Sequence, residues 1–577
     1  PADLEGLRPA GAAGRVLITT GQAENAGSTA SVLPVGFLAP REAVSYLSDR
    51  LSSDPDHRAG QMDLALELGG EPAALAHAAA VIETSELSCR DYLEVFQRHR
   101  ADLEQSGPGP VAAAEVTWRL SARHGEVLNR GAGTWPMLVL AALLRGHGIP
   151  LAVLTGAVAC RYLGGDGPGR PDLGWSAIGT LGMTGLLDVD RGAVPPVARV
   201  GGALRASVLA VAQPELVTEA AGAAADALLE AWPRDQPGSP LAVLLRACAA
   251  DLLDAAGDTL WAGGSCHRLL LVAGQSLVGA GMPGPAAAWW QQLAERSARL
   301  LGEHHPDTVV VAGLLADALV AAGQGGGAVT WAQWVLAART EVLGPDHRGT
   351  IAARASLGRA LAAAGHSKQA VTVLETSTRQ AEQVCGPADD ATLAAVEDHA
   401  AVCLAAGQAR EAARLLKRAL TGRERTQGPD HPATLATGDR LAAAYLAVEQ
   451  FRHATRQYED LLARRERAHG PEHPGTLAAL TRLAAACGTA GQVSTALGHY
   501  QRAAVGYEQA LGPAHPATLA CQGELARAYY DAGHLGDAVT ILQAAIATAT
   551  SALSPGDQVT GTPRALLDGI TEDTAAR

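Results

Sequence analysis

Lys368 and Lys417 are the only lysines in the 577-residue chain, and neither stands in a glycine-rich loop, so a phosphate-cradling GxxxxGK[ST] loop is absent. Histidines at 305, 347, 431, 473 and 515 recur once per loop. None has a second ligand at helical or hairpin spacing, so capping and loop packing are expected of them rather than metal binding. Cys89, Cys160, Cys248, Cys266, Cys385, Cys403, Cys487 and Cys521 include no CxxC pair. They read as reduced, core-filling thiols in a cytoplasmic protein, not as a disulfide or zinc framework. No GxSxG, HExxH or paired-acid pattern sits in the strand or helix context its chemistry needs, so no catalytic residue and no catalysis are expected.

The elements that would position any such residues belong to a globular, multi-domain chain. An apolar content of 48% excludes wholesale disorder. The net charge of -14 argues against nucleic-acid binding by the whole surface, though not against a local basic patch. The apolar stretches 137–144 and 151–160 fall short of the ~20 residues that span a bilayer, and Arg145 and His147 divide them. No membrane association is expected. The first residue is Pro1, with no charged n-region or apolar h-region behind it, so the chain is expected to lack a signal peptide and to begin inside a longer polypeptide.

Self-similarity dominates the second half. Gly302, Gly344, Gly386, Gly428, Gly470 and Gly512 recur at a spacing of 42, as do Thr308 to Thr518 and Ala328 to Ala538. A loop such as Gly428-Pro-Asp-His-Pro-Ala-Thr434 puts Pro432 in a first helical turn behind residues able to cap it. A first helix then runs to a glycine stop at Gly323, Gly365, Gly407, Gly491 or Gly533, with Glu449 the exception, and a second helix carries the in-phase alanine. Leu315, Leu357, Leu441, Leu483 and Leu525 share one position of the first helix, where His399 is the outlier. One such hairpin cannot bury both its faces, so six must stack as a solenoid over 302–553. Gly281 and Ala286 extend the phase backwards and predict a degenerate repeat over 259–301. Helical patterns at 214–232 and 240–257 lead into it, giving a helical linker over 212–301. Trp261, Trp289, Trp290, Trp331 and Trp334 cluster at the entrance, where core packing is expected and an aromatic binding patch is the alternative.

"GPDHPATLA" followed by two helices in 42 residues resembles the kinesin-light-chain type of tetratricopeptide repeat. In that family paired asparagines on the first helix commonly hold a peptide backbone in the concave groove. The corresponding pairs here contain no Asn: Gly313-Leu314, Ala355-Ser356, Glu397-Asp398, Asp439-Arg440, Thr481-Arg482 and Gly523-Glu524. The resemblance therefore implies a partner groove bearing Glu397, Asp398, Asp439, Arg440, Arg482 and Glu524, which suits a charged or mixed peptide or protein; a merely solvated face is the alternative.

The first half has another grammar. Residues 14–20, ending in Thr19 and Thr20, and 31–35 read as short strands of an α/β sheet. Pro40, Glu42, Leu47 and Leu51 mark an amphipathic helix, and two more meet at Gly69-Gly70-Glu71-Pro72. "RVLITT", the "L.P.EA" helix and "LGGEPAALAHAAAVI" resemble the NB-ARC module of STAND ATPases. The resemblance implies a remnant of the nucleotide-binding sheet over 1–38 and an ARC-like helical domain over 39–108. It makes Thr19 and Thr20 the end of the sensor strand, and Pro72 the GxP proline near adenine. Gly21 replaces the sensor Arg. From 111 to 206, "TWRLS" and "LGMTGLLDVD" resemble the winged-helix domain that follows, implying short helices and a small hairpin, with Ala198 in place of that family's phosphate-sensing His. Both Walker motifs would lie upstream, so this chain alone is expected to bind no ADP or ATP, and to oligomerise only with an intact NB-ARC core.

The expected fold is thus mainly α: an α/β remnant, ARC helices and a winged helix, then an α-α solenoid of 42-residue hairpins and a capping turn and tail over 554–577. The expected function is that of a STAND-type regulator whose repeats bind a protein and couple that binding to a nucleotide switch. The alternative is a free-standing scaffold with a decayed switch. A winged-helix transcription regulator ranks third, because 195–210 offers only Arg199 and Arg205 to phosphate.

Overall fold

The computed structural model describes residues 36–106, 109–129, 133–144, 148–164, 172–233, 236–552 and 567. The expected strands at 14–20 and 31–35, the sensor positions Thr19 and Thr20 and, residue 567 apart, the tail 554–577 lie outside them. The chain divides into two compact units between Ala322 and Gly323. Among the described residues no helix is long and apolar enough to cross a membrane.

In the first unit, Pro40 opens α1 (Pro40–Arg50), where its missing N–H costs nothing and the Glu42 carboxylate accepts the Ala39 N–H at 2.8 Å. Helices α2 (Gln61–Glu67) and α3 (Pro72–Glu83) meet at Gly69 and Gly70, whose φ angles are 64° and 69°. A Cβ on Gly70 would stand 2.1 Å from the Leu38 carbonyl oxygen, so only glycine lets the entering chain cross there. With α4 (Cys89–Ser106) they enclose a core of Leu47, Leu64, Leu75, Ile82 and Phe96.

Helix α5 (Ala113–Leu128) lies on α3 and brings polar groups into the contact. The Ser121 hydroxyl donates to the His77 carbonyl at 3.4 Å, and His124 Nε2 stands 3.0 Å from Thr84 Oγ1. There follow α6 (Thr134–Leu143), α7 (Leu151–Thr155), α8 (Ala157–Gly164) and α9 (Leu173–Met183). Strands β1 (Ile149–Pro150), β2 (Asp188–Asp190) and β3 (Val197–Arg199) form an antiparallel sheet in the order β1-β3-β2, with Val189 opposite Ala198. Helix α10 (Gly202–Val211) closes the segment. Arg199 is 3.5 Å from Asp190, and Arg205 donates to the Ala142 carbonyl at 2.6 Å, so both cations of this stretch are engaged inside the protein.

Helices α11 (Pro214–Glu230), α12 (Pro240–Ala256), α13 (Arg268–Gly279), α14 (Pro283–Leu301) and α15 (Pro306–Ala321) complete the unit. The segment expected to be a degenerate repeat contains the α13–α14 hairpin, and α13 has 12 residues where α15 has 16. Trp290 is fully buried beneath Gly274, where a Cβ would stand 2.3 Å from its ring.

The second unit begins with α16 (Gly325–Leu343), α17 (Arg348–Ala363), α18 (Ser367–Cys385), α19 (Asp390–Ala405), α20 (Ala409–Thr426) and α21 (Pro432–Ala447). It ends with α22 (Phe451–His469), α23 (Pro474–Thr489), α24 (Val493–Leu511), α25 (Pro516–Asp531) and α26 (Leu535–Ala552). The repeating residues do repeating work. The histidines cap the first helices: Nδ1 of His347, His431, His473 and His515 accepts the N–H two residues on at 3.0 to 3.2 Å, and Asp389 takes the role before α19. Thr350, Thr434 and Thr518 are buried and donate to the carbonyls of Gly344, Gly428 and Gly512 at 2.8 to 2.9 Å, which closes each loop and explains why Thr and Gly keep one period. The stops Gly365, Gly407, Gly491 and Gly533 have positive φ, and Glu449, in their place, has φ 61°. Ala370, Ala412, Ala454 and Ala538 are wholly buried where second helix meets first.

Candidate partner-binding face of the repeat array

The first helices of successive repeats touch one another, α17 on α19 and α19 on α21, so they form an inner layer with the second helices outside it. The paired positions of that layer carry the charges read from the sequence. Glu397 on α19 is buried, with its side chain 9% exposed, and it receives three donors: Arg423 Nε at 2.6 Å, Thr437 Oγ1 at 2.6 Å and Arg440 at 2.8 Å. One carboxylate therefore joins α19 to α20 of its own repeat and to α21 of the next. The arrangement recurs one repeat on, where Asp439 receives Arg465 of α22 at 2.7 Å and Arg482 of α23 at 2.8 Å. Asp398 pairs with Arg359 at 2.6 Å. Further along, Thr481 and Tyr507 occupy the places of the acid and the buried arginine, and the network stops.

These pairings change the electrostatic character of the face. Glu397 and Asp439 spend their charge inside the array, whereas the side chains of Arg440 and Arg482 remain 55% and 50% exposed. Glu524 is exposed on α25. The structure brings Glu397 to Arg440 and Asp439 to Arg482, leaves Asp398 with Arg359, and sets Glu524 in a repeat without a network. The partners of these acids, buried Arg423 and half-buried Arg465, are network residues that sequence reasoning missed. The signal was present, because both follow their acid by 26 residues and are themselves 42 apart. Burial and the nearby Asp439 push the Tyr458 hydroxyl's pKa up, which keeps it a neutral donor.

One tetratricopeptide-repeat family model matches residues 391–467 and 440–508, and a second matches 308–349 and 518–558. The array is built of tetratricopeptide repeats. No curated protein matches the chain. Among solved structures, the kinesin light chain of Podosopora anserina with nearly identical TPR-like repeats is 28% identical over 36% of this chain and 98% of that one, with a TM-score of 0.34. BtubC of P. vanneervenii is 19% identical over 39% and 90%, TM-score 0.34. A STAND protein with a tetratricopeptide repeat sensor from Pyrococcus horikoshii is 13% identical over 93% and 75%, TM-score 0.36. Scores this low carry no fold argument, so the assignment rests on the family models and the repeating geometry.

In the tetratricopeptide array the loop histidines are thus helix caps. Among the described residues no cluster of three or more His, Cys, Asp or Glu could hold a metal ion. Pro72, outside the array, is exposed at the first turn of α3 beside the Gly69-Gly70 turn. Trp261 and Trp290 take the core role expected of the tryptophan cluster: the Trp261 N–H donates to Ser297 at 3.0 Å. Trp331 and Trp334 on α16 meet edge to face, with ring centroids 6.1 Å apart.

Proposed function

We propose that the tetratricopeptide array binds a protein partner on its inner face, and that Arg440 and Arg482 are the groups the partner meets first. The observation that carries the reading is the asymmetry of the two networks: Glu397 is buried, Asp439 is half-buried and both are paired, while each outer guanidinium keeps unused N–H donors toward solvent. Such donors suit a carboxylate-bearing segment better than a neutral backbone. Asp398 and Glu524 would set the limits of that segment by repelling acids placed over them.

In this proposal the chain serves a STAND-type regulator. Its divisions are an NB-ARC remnant over 1–38, ARC-like helices over 39–108, a winged-helix-like lever over 111–206, a helical linker over 212–301, six repeats over 302–553 and a cap and tail over 554–577. Short helices followed by the β2–β3 hairpin support the lever, and the internal engagement of Arg199 and Arg205 favours it over DNA binding. Pro72, Thr19 and Thr20 would be vestiges of an adenine and sensor site that holds no nucleotide in this chain alone.

The test is capture of proteins from lysate by the whole chain, with and without Arg440→Gln plus Arg482→Gln. Glutamine keeps a donor for the buried acids, whereas Glu would set a second carboxylate against Glu397. The proposal expects specific proteins whose retention weakens with salt and drops at least tenfold in the double variant. Undiminished capture by that variant would move the binding site elsewhere.

A further inference from the structure

The outer layer carries a charge surplus that the array does not neutralise. Arg410, Lys417 and Arg425 on α20 and Arg452, Arg456 and Arg467 on α22 are all exposed, and none forms an ion pair with another described residue. Most carboxylates on the same helices are committed to other arginines: Glu411 to Arg414, Glu424 and Asp460 to Arg464, and Glu466 to Arg502. Glu459 is the exposed acid left among them. The pairs Arg410/Arg452 and Arg425/Arg467 are each 42 residues apart, so they hold the same station on successive outer helices. Within a helix, the first and last cation stand about 22 Å apart. Arg452 and Arg456 are one turn, about 6 Å, apart.

Helix α11 of the first unit has the opposite pattern at the same stations. Glu215, Glu219, Asp226 and Glu230 are all exposed. Their offsets of 0, 4, 11 and 15 residues place them within about 60° of helical arc. Arg452, Arg456 and Arg467 have offsets of 0, 4 and 15; on α20 the unpaired Arg410 and Arg425 hold the 0 and 15 stations, and Arg414 between them is paired with Glu411. The acid set reads the same from either end, so it matches the cations in either helix direction. Among the described residues no Arg or Lys pairs with these acids: Glu230 accepts the N–H groups of Ala157 and Val158, and Asp226 lies 3.3 Å from His267. The imbalance also holds at larger scale. Residues 33–322 contain 20 basic and 31 acidic side chains, a net of -11, against 23 and 25 in residues 323–577.

We propose that the outer face of α20 and α22 docks helix α11 of a second copy of this chain, carboxylates against guanidinium groups along the two helices. Charges more than about 8 Å apart are screened at physiological salt, so this contact depends on the close match of stations rather than on net charge, and it weakens as salt rises. It uses the face opposite the proposed partner groove, so a chain can engage both.

Sedimentation of the whole chain, in low and in high salt, tests it. The proposal expects self-association at low salt that high salt reverses. Arg452→Glu with Arg456→Glu should weaken that association at least tenfold, as should Glu215→Arg with Glu219→Arg, each with unchanged helical circular dichroism. Mixing the two reversed chains should restore assembly, because each then supplies the face the other lacks. A chain that is monomeric at low salt overturns the inference. So does association indifferent to both reversals. Retention of a monomer on duplex DNA through Arg452 and Arg456 would also overturn it, assigning the face to a phosphate backbone instead.

Discussion

First helices in the array close their ends with residues adjacent in sequence, whereas two helices of the first unit borrow a side chain from far along the chain. Before α21 the cap is His431, two residues from the N–H it receives. Before α8 it is Glu230 of α11, which receives the N–H groups of both Ala157 and Val158. Before α5 it is Glu71, which takes the Ala114 N–H at 3.0 Å. A locally capped hairpin answers for its own stability and passes strain only to its neighbours, which is the behaviour expected of a one-dimensional repeat. A unit sewn together by distant caps loses several helices when one is disturbed. Damage should therefore stay confined in the array and spread in the first unit.

The largest expected effect is an exception to that locality. Glu397 ties three helices of two repeats, and removing it strands Arg423, itself only 8% exposed, without its anion. Glu397→Ala should cost about 3–5 kcal/mol in urea unfolding, because an uncompensated buried charge remains. Arg440→Ala should cost under about 1 kcal/mol, since that half of the network is solvated. Equal losses would show that burial does not divide the two arginines.

Acid should act on the first unit through His77. Burial between α3 and α5, with only the Thr117 hydroxyl 3.4 Å away, lowers its pKa from 6.5 to about 4. The unfolded chain binds the proton more readily, so stability is full above pH 6.5 and declines as pH falls toward 4. The complete depression corresponds to about 3 kcal/mol. Burial also lowers His99 and His124 in the same layer, with the same sign; the Arg123 and Arg119 charges add to the depression at His99. Hydrogen exchange across 72–128 should accelerate over that window, and His77→Gln should flatten the dependence. A loss of protection shared equally by the array would contradict the picture of two separately stabilised units.

The same contrast decides what the sequence shows. Periodic residues could be read because each repeat needs the same backbone device: Gly at a positive φ, Thr closing the loop, Ala where helices touch. Even the irregular stop at Glu449 was visible, since glycine at the other five stops exposes the one different residue. The candidate face was only half legible. Glu397 looked like a groove acid, and its burial depends on Arg423 from another helix, a pairing that composition and local periodicity do not encode. In the first unit the distant caps from Glu71 and Glu230 had no sequence signal at all, because nothing local marks which of many exposed acids will meet a free helix end. The short helix α13 likewise hides its cap: His267 accepts the Leu269 N–H at 3.2 Å, but four residues out of phase with the other histidines.

A smaller effect tests confinement directly. Ala412 is wholly buried on α20, and a larger side chain there overpacks the hairpin at a cost of about 1–3 kcal/mol. Ala412→Leu should accelerate hydrogen exchange over 390–447 and leave 40–106 unchanged. Ala409, at the first position of α20 and only partly buried, should tolerate leucine. Equal responses at the two sites would mean that the in-phase alanine is not the tight point of the repeat.

The smallest expected effect is a gain. Glu449 holds φ 61° at the stop where other repeats of the second unit use glycine, and a side chain in that conformation carries a penalty of about 1–2 kcal/mol from its Cβ. Its backbone N–H still donates to the Leu446 carbonyl at 2.9 Å, so the turn is the ordinary one with the wrong residue in it. Glu449→Gly removes the clash but gives the unfolded chain more freedom, which returns part of the benefit. The net should be a stabilisation of about 0.5–1 kcal/mol. It should appear as slower exchange in α21 and α22 alone, since the turn joins only those two helices. Glu449→Ala keeps the Cβ and should gain nothing, which separates relief of backbone strain from the removal of a negative charge near the C-terminal end of α21. If alanine stabilises as much as glycine, the charge rather than the left-handed backbone is what Glu449 costs the repeat.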